Sequence, residues 1–119
     1  MTNHVYWIVE GIIKEGMLEE LKALSEEMIS STRMAEPKTI LYEWFIGPSG
    51  KECYIHEGYA DSNAAMKHLD AFNLRYAARF ETLVKIERLI VFGCPSDELR
   101  KELGESGTLI PSSLGGFSR

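Results

Sequence analysis

Between residues 4 and 95 the hydrophobic period switches back and forth between that of a strand and that of a helix. "HVYWIVEGIIK" (4–14) is dense in β-branched and aromatic residues without clean alternation, which predicts a strand covered on both faces. "EGMLEELKALSEEMISSTR" (15–33) then places Met17, Leu21, Leu24 and Met28 on one stripe of a helix, which Pro37 prevents from continuing. "KTILYEWFIG" (38–47) and "ECYIHEGYA" (52–60) flank a Gly-Pro-Ser turn and predict a hairpin. Ala65, Leu69, Phe72, Tyr76, Phe80 and Leu83 return to helical spacing, as one helix or as two broken near Asn73. "KIERLIVFGCP" (85–95) is a fourth strand. The order βαββαβ predicts an α+β, ferredoxin-like domain: a four-stranded antiparallel sheet with helices on one face. Strands one, two and four are apolar on both sides, so the second face also needs cover. Another copy of the same sheet, in an isologous homodimer, is the simplest cover.

Local signals refine this frame. Gly11 marks a bulge or a close backbone approach. On the second strand Thr39, Leu41, Glu43 and Phe45 are expected on one side, and Ile40, Tyr42, Trp44 and Ile46 on the other. Asp61 or Ser62 caps the helix that follows. Residues 1–95 are expected to form the domain. Residues 96–119 are expected to add a short helix over 96–105, capped by Ser96, and a strap or tail whose Leu109, Ile110, Leu114 and Phe117 are too apolar for a simple linker.

Composition removes several function classes. The net charge is −5 and no Lys/Arg block gathers on one stretch, so neither nucleic acid nor an anionic membrane is an expected partner. The N-terminus lacks the pattern of a secretory signal, and no apolar run approaches the ~18–20 residues of a membrane span. Cys53 and Cys94 have no metal or redox spacing and are expected as reduced thiols of a cytoplasmic protein, although spacing leaves a disulfide open. The sequence holds no metal-binding spacing and no Gly-rich phosphate loop.

The residues able to carry chemistry concentrate in "YIHEGYADSNAAMKHL" (54–69). His68 sits on the flank of the apolar helix stripe, where a pocket between helix and sheet would open, and its ordinary pKa near ~6.5 suits proton transfer. His56 and Glu57 are strand neighbours and point to opposite faces. Glu57 needs a cationic partner if it is buried, and Arg88 is the candidate. Glu10 and Glu43 are further carboxylates inside apolar strands, each readable as a base or as half of an ion pair. Trp7, Trp44, Tyr59, Phe72 and Tyr76, with Tyr42 and Tyr54, supply core or the walls of a pocket for a flat ring. Arg75 and Arg79 share a helix face that either pairs with acids or grips an anion.

"VYWIVEGIIKEGMLEELKAL", "EPKTILYEWF" and above all "YIHEGYADSNAAMKHLDAF" resemble the antibiotic-biosynthesis monooxygenase (ABM) domain of the dimeric α+β barrel superfamily. In that pattern an apolar-aromatic strand ends in Tyr/Phe-Glu-x-Tyr/Trp and an Asp-started helix bears a His-Leu pair. Here Glu57, Tyr59, Asp61, His68 and Leu69 take those places. His56 replaces a common aromatic residue, and Gly58 a common arginine. The resemblance implies a homodimer with a pocket between the sheet and helices of each subunit. It also implies cofactor-free oxygenation of a small aromatic or quinol compound, with His68, Glu57 and Glu43 as catalytic candidates and His56, Trp44, Tyr59, Trp7, Phe72 and Tyr76 as substrate-binding ones. A non-catalytic ligand-sensing dimer and a small-metabolite isomerase are alternatives on the same fold.

Overall fold

The computed structural model describes residues 3–104 and 107–119. The strands are β1 (Val5–Ile13), β2 (Thr39–Ile46), β3 (Glu52–Tyr59), β4 (Val84–Gly93) and β5 (Thr108–Leu109); the helices are α1 (Leu18–Ala35), α2 (Ser62–Arg75), α3 (Ala77–Glu81) and α4 (Asp97–Leu103). The sheet order is β2-β3-β1-β4-β5. The first four strands are antiparallel neighbours in the expected ferredoxin-like order, but the sheet has a fifth strand and is mixed, because β5 runs parallel to β4. A two-residue strand contributes too few side chains to show a period, so this edge was not visible in the sequence.

Helices α1 to α3 cover one face of the sheet. Leu21, Leu24 and Met28 of α1 pack with Cys53, Ile55, Phe80, Leu83 and Val84. Around Trp7, a second cluster joins Val5, Tyr59, Ala65, Val91 and Leu99. The long apolar stripe is two helices: α2 ends at Tyr76, three residues beyond the expected break, and Tyr76 also starts α3. Asp61 caps α2 by accepting from the Ala64 amide, and Ser96 caps α4 by accepting from the Leu99 amide. The expected end of the last helix, Glu105, lies outside the described residues.

Two irregularities aim the site. The β1–β4 register slips between Glu10 and Gly11, and a Cβ at Gly11 would stand 2.5 Å from a Val84 methyl. The β2–β3 register slips between Thr39 and Leu41, leaving Ile40 as the extra, exposed residue. Thr39 therefore faces the helices opposite Tyr59, while Leu41, Glu43 and Phe45 face the other way, which corrects the simple alternation expected for this strand.

Candidate functional site

Strand parity decides which side chains meet. Trp7, Val9, Tyr42, Ile55 and Glu57 project to the helix side of the sheet, and with Phe72 and Phe80 from the helices they line a cavity of about 140 Å³. Met28, Leu69, Ile86, Leu89 and Leu103 complete its wall. The polar groups of its lining residues are few: Glu57, His68, the Tyr42 hydroxyl and the Trp7 indole N–H. No Lys or Arg lines it among the described residues.

His68 lies one helical turn after Ala65, which is fully buried, and this phase brings its ring under α2 against β3. Its Nδ1 is 2.9 Å from Glu36 Oε1 and its Nε2 is 3.3 Å from Glu57 Oε1. All three side chains are nearly inaccessible, between 6% and 7%. Tyr59 donates its hydroxyl hydrogen to Glu57, and Thr39 donates to Glu36 over 3.1 Å. The Tyr42 and Tyr59 rings stand 5.2 and 5.5 Å from the imidazole. The cluster joins the end of α1, two strands and α2, so the tertiary fold assembles it.

The electrostatics are those of a buried, coupled set. Burial pushes the Glu57 carboxyl above the usual range; the His68 charge and the Tyr59 bond oppose this without reversing it. Burial also pulls on His68, downward, but the Glu36 bond and the charges of Glu57 and Glu36 outweigh it and raise the imidazole above its ordinary value. For Glu36, burial raises, yet the His68 bond and charge, with Thr39, hold the carboxyl below its ordinary value. Together these shifts describe an ionised Glu36, a charged His68 and a Glu57 inclined to hold its proton. Burial, then the Glu57 charge and hydrogen bond, keep Tyr59 protonated.

Of the sequence-predicted residues, the structure brings His68, Glu57, Trp7 and Phe72 to the cavity, with Tyr59 behind Glu57. Glu43 and His56 do not reach it. They are partners across β2–β3 on the sheet's open face, and Glu43 is exposed. Trp44 and Tyr76 pack against the α1 core instead of lining the cavity. Arg88 does not pair with Glu57: it lies on the open face and binds Glu10 at 2.8 Å, while Glu57 meets His68. Arg79 pairs with Glu27, so that helix face reads as a solvated one. Both cysteines are free, and burial pushes the Cys53 thiol up to about 11, which leaves it a poor nucleophile. Glu36 was missed. It precedes Pro37 at a helix end, and nothing local marks it, because its partner is a histidine from another helix.

No helix among the described residues is long and apolar enough to cross a membrane. No family profile and no curated protein sequence matches the chain. Solved structures do. MupZ from Pseudomonas fluorescens is 26% identical, with a TM-score of 0.86 over 100% of this chain and 91% of that one, so the match includes α4 and the arm after it. A candidate antibiotic biosynthesis monooxygenase from Bacteroides thetaiotaomicron is 22% identical, with a TM-score of 0.64 over 75% of this chain and 85% of that one. SnoaB, a cofactor-independent oxygenase from Streptomyces nogalater, is 13% identical, with a TM-score of 0.66 over 79% and 95%. The chain is an α+β protein of the antibiotic-biosynthesis monooxygenase fold.

Proposed function

We propose that the chain is a cofactor-independent, monooxygenase-like enzyme acting on a small neutral aromatic or quinol compound bound in the cavity beneath α2. One observation carries this reading: among the described residues a carboxyl and an imidazole, Glu57 and His68, are the only ionisable groups besides the Tyr42 phenol in an otherwise apolar, aromatic-walled cavity. A carboxylate whose pKa is raised is a stronger base, and a dry site holds the resulting substrate anion close to it. An activated CH₂ or a phenol surrenders its proton to the ionised form of Glu57, beside His68, and the carbanion or phenolate then gives one electron to O₂. Recombination makes the C–O bond, and loss of water from the peroxide leaves a ketone or quinone. For a methylene the sum is R₂CH₂ + O₂ → R₂C=O + H₂O. A cavity of about 150 Å³ accommodates a benzene-sized guest, so single-ring substrates fit this one best. The lack of a lining cation disfavours phosphorylated or carboxylated substrates. The likeness to SnoaB in fold supports the reaction class.

The test is oxygen uptake with single-ring hydroquinones and phenols in metal-free buffer, with the rate falling at least ~10-fold in His68→Ala. Ligand binding without turnover replaces the enzyme with a sensor. A second reading, an isomerase-type proton-transfer enzyme, is favoured by the inclination of Glu57 to stay protonated, which suits a general acid. It predicts deuterium incorporation from D₂O without oxygen consumption.

We further propose a homodimer. The open sheet face carries Tyr6, Ile8, Leu41, Phe45, Ile90 and Phe92, with Phe45 half exposed. Leu114 and Phe117 of the arm add exposed apolar surface. A stable dimer needs about 800 Å² covered per subunit. Sedimentation velocity at micromolar concentration is expected to give a dimer that Phe45→Glu dissociates. A monomeric wild type would end the proposal.

A further inference from the structure

His68 separates two environments. On one side Glu57 and His68 itself line the apolar cavity, and Glu36 does not. On the other, Glu36 borders two surface grooves at the α1–β2 connection, and neither groove is lined by His68 or Glu57. The imidazole bridges them, Nε2 toward Glu57 at 3.3 Å and Nδ1 toward Glu36 at 2.9 Å.

We infer that Glu36 is the outer terminal of a proton relay, Glu57–His68–Glu36, which exchanges protons between the apolar cavity and water in the α1–β2 grooves. The inference rests on the acid–base reading above for its use in turnover, but not for its existence. Each transfer conserves charge. The relay runs in the form that has lost one proton further, with Glu57 ionised and His68 neutral and protonated on Nδ1: a substrate proton passes to the Glu57 carboxylate, and Glu57 passes a proton to the free His68 Nε2. His68 Nδ1–H releases one to Glu36, which gives it to groove water. When the reaction later needs a proton, the sequence reverses and restores the original imidazole tautomer. No electron moves along the relay.

The groups around the relay are compatible with it. Thr39 of β2 holds the Glu36 oxygen that faces His68, and Tyr59 of β3 holds the Glu57 oxygen. From α2, Lys67 lines one groove, with Lys38 and Asp61 beside it; Arg33 of α1 lines the other. Tyr42 of β2 borders both the cavity and a groove and stays protonated. Glu36 is thus a positioning and relay residue, not one that touches substrate.

Two measurements test this. By ¹⁵N NMR of the imidazole, His68 in the wild type is expected to carry its proton on Nδ1 and to titrate above its ordinary value. In Glu36→Gln the midpoint moves down and the Nδ1–H preference weakens. With an active substrate from the panel, Glu36→Ala is expected to lower kcat roughly tenfold with KM unchanged, and added formate is expected to restore the rate. A His68 titration indifferent to Glu36→Gln overturns the relay even if no substrate is found. So does a kcat loss that formate does not restore in a variant that melts like the wild type. Failure of the whole substrate panel, with the NMR shift present, retires the oxygenase reading and keeps the relay.

Discussion

Glu57→Gln is expected to cut turnover of a hydroquinone-type substrate about 10²–10⁴-fold while leaving the fold intact. Glutamine keeps the side-chain shape and an oxygen that accepts the Tyr59 hydroxyl, but it neither takes nor gives a proton. Truncation to alanine would open a hole and strand the Tyr59 hydroxyl, so only the amide separates chemistry from packing. The stability trend runs opposite to the activity trend. The Glu57 pKa is raised in the folded protein, so its contribution is fully present below the unfolded value, near 4.5, and is lost as pH rises through the folded one. Glutamine has no such loss. Thermal melts are therefore expected to place the variant at or above the wild type at pH 8, with the gap closing as pH falls toward about 4.5. Full activity in Glu57→Gln would remove the acid–base centre from the proposed function. A variant less stable at high pH than at low pH relative to wild type would contradict the assignment of Glu57 as the reluctant ion.

How much of this centre the sequence disclosed depends on distance along the chain. Glu57 and His56 fall on opposite faces because strand parity allows nothing else, and the structure keeps them apart in that way. The phase of His68 follows from the apolar stripe of its own helix. Glu43 was placed in the site because periodicity divides a strand into two sides without saying which side meets the helices. Tyr42 and Trp44, by packing on the α1 core, turn Glu43 outward. The βαββαβ order of elements followed from the alternation of periods. The slip at Ile40 did not, since a bulge adds one residue without changing composition; a break between two helices was one of two readings, and its place at Tyr76 was not legible because the apolar stripe runs through it. Glu36 was illegible for a different reason. A carboxylate at a helix C-terminus opposes the helix dipole, and what makes it acceptable here is an imidazole 32 residues away.

Gly93→Ala is expected to be the most damaging single-methyl change among the described residues, costing about 3 kcal/mol or more and lowering the melting temperature by roughly 10 °C. Gly93 ends β4 opposite Val5 with φ +93°, a conformation that side-chain-bearing residues rarely adopt. A Cβ there would stand 2.2 Å from the His4 carbonyl oxygen, and that oxygen accepts the Cys94 amide at 3.2 Å. Backbone on both sides cannot move aside as a flexible side chain would. Gly50→Ala is the control: φ is also positive, +77°, in the β2–β3 turn, but nothing lies within 4 Å of its Cβ. It should cost only about 1 kcal/mol, the conformational penalty alone. The difference between the two variants measures the collision. The consequence extends to the cavity, because the chain passes from Gly93 through Pro95 into α4, whose Leu99 is fully buried and whose Leu103 forms part of the cavity wall. Gly93→Ala should therefore loosen ligand binding together with the fold, whereas Gly50→Ala should leave binding untouched. Equal melting temperatures for the two variants would mean that the β4 end yields freely, and that Leu99, Leu103, the Ser96 cap and the Ser96–Ser62 bond hold α4 in place.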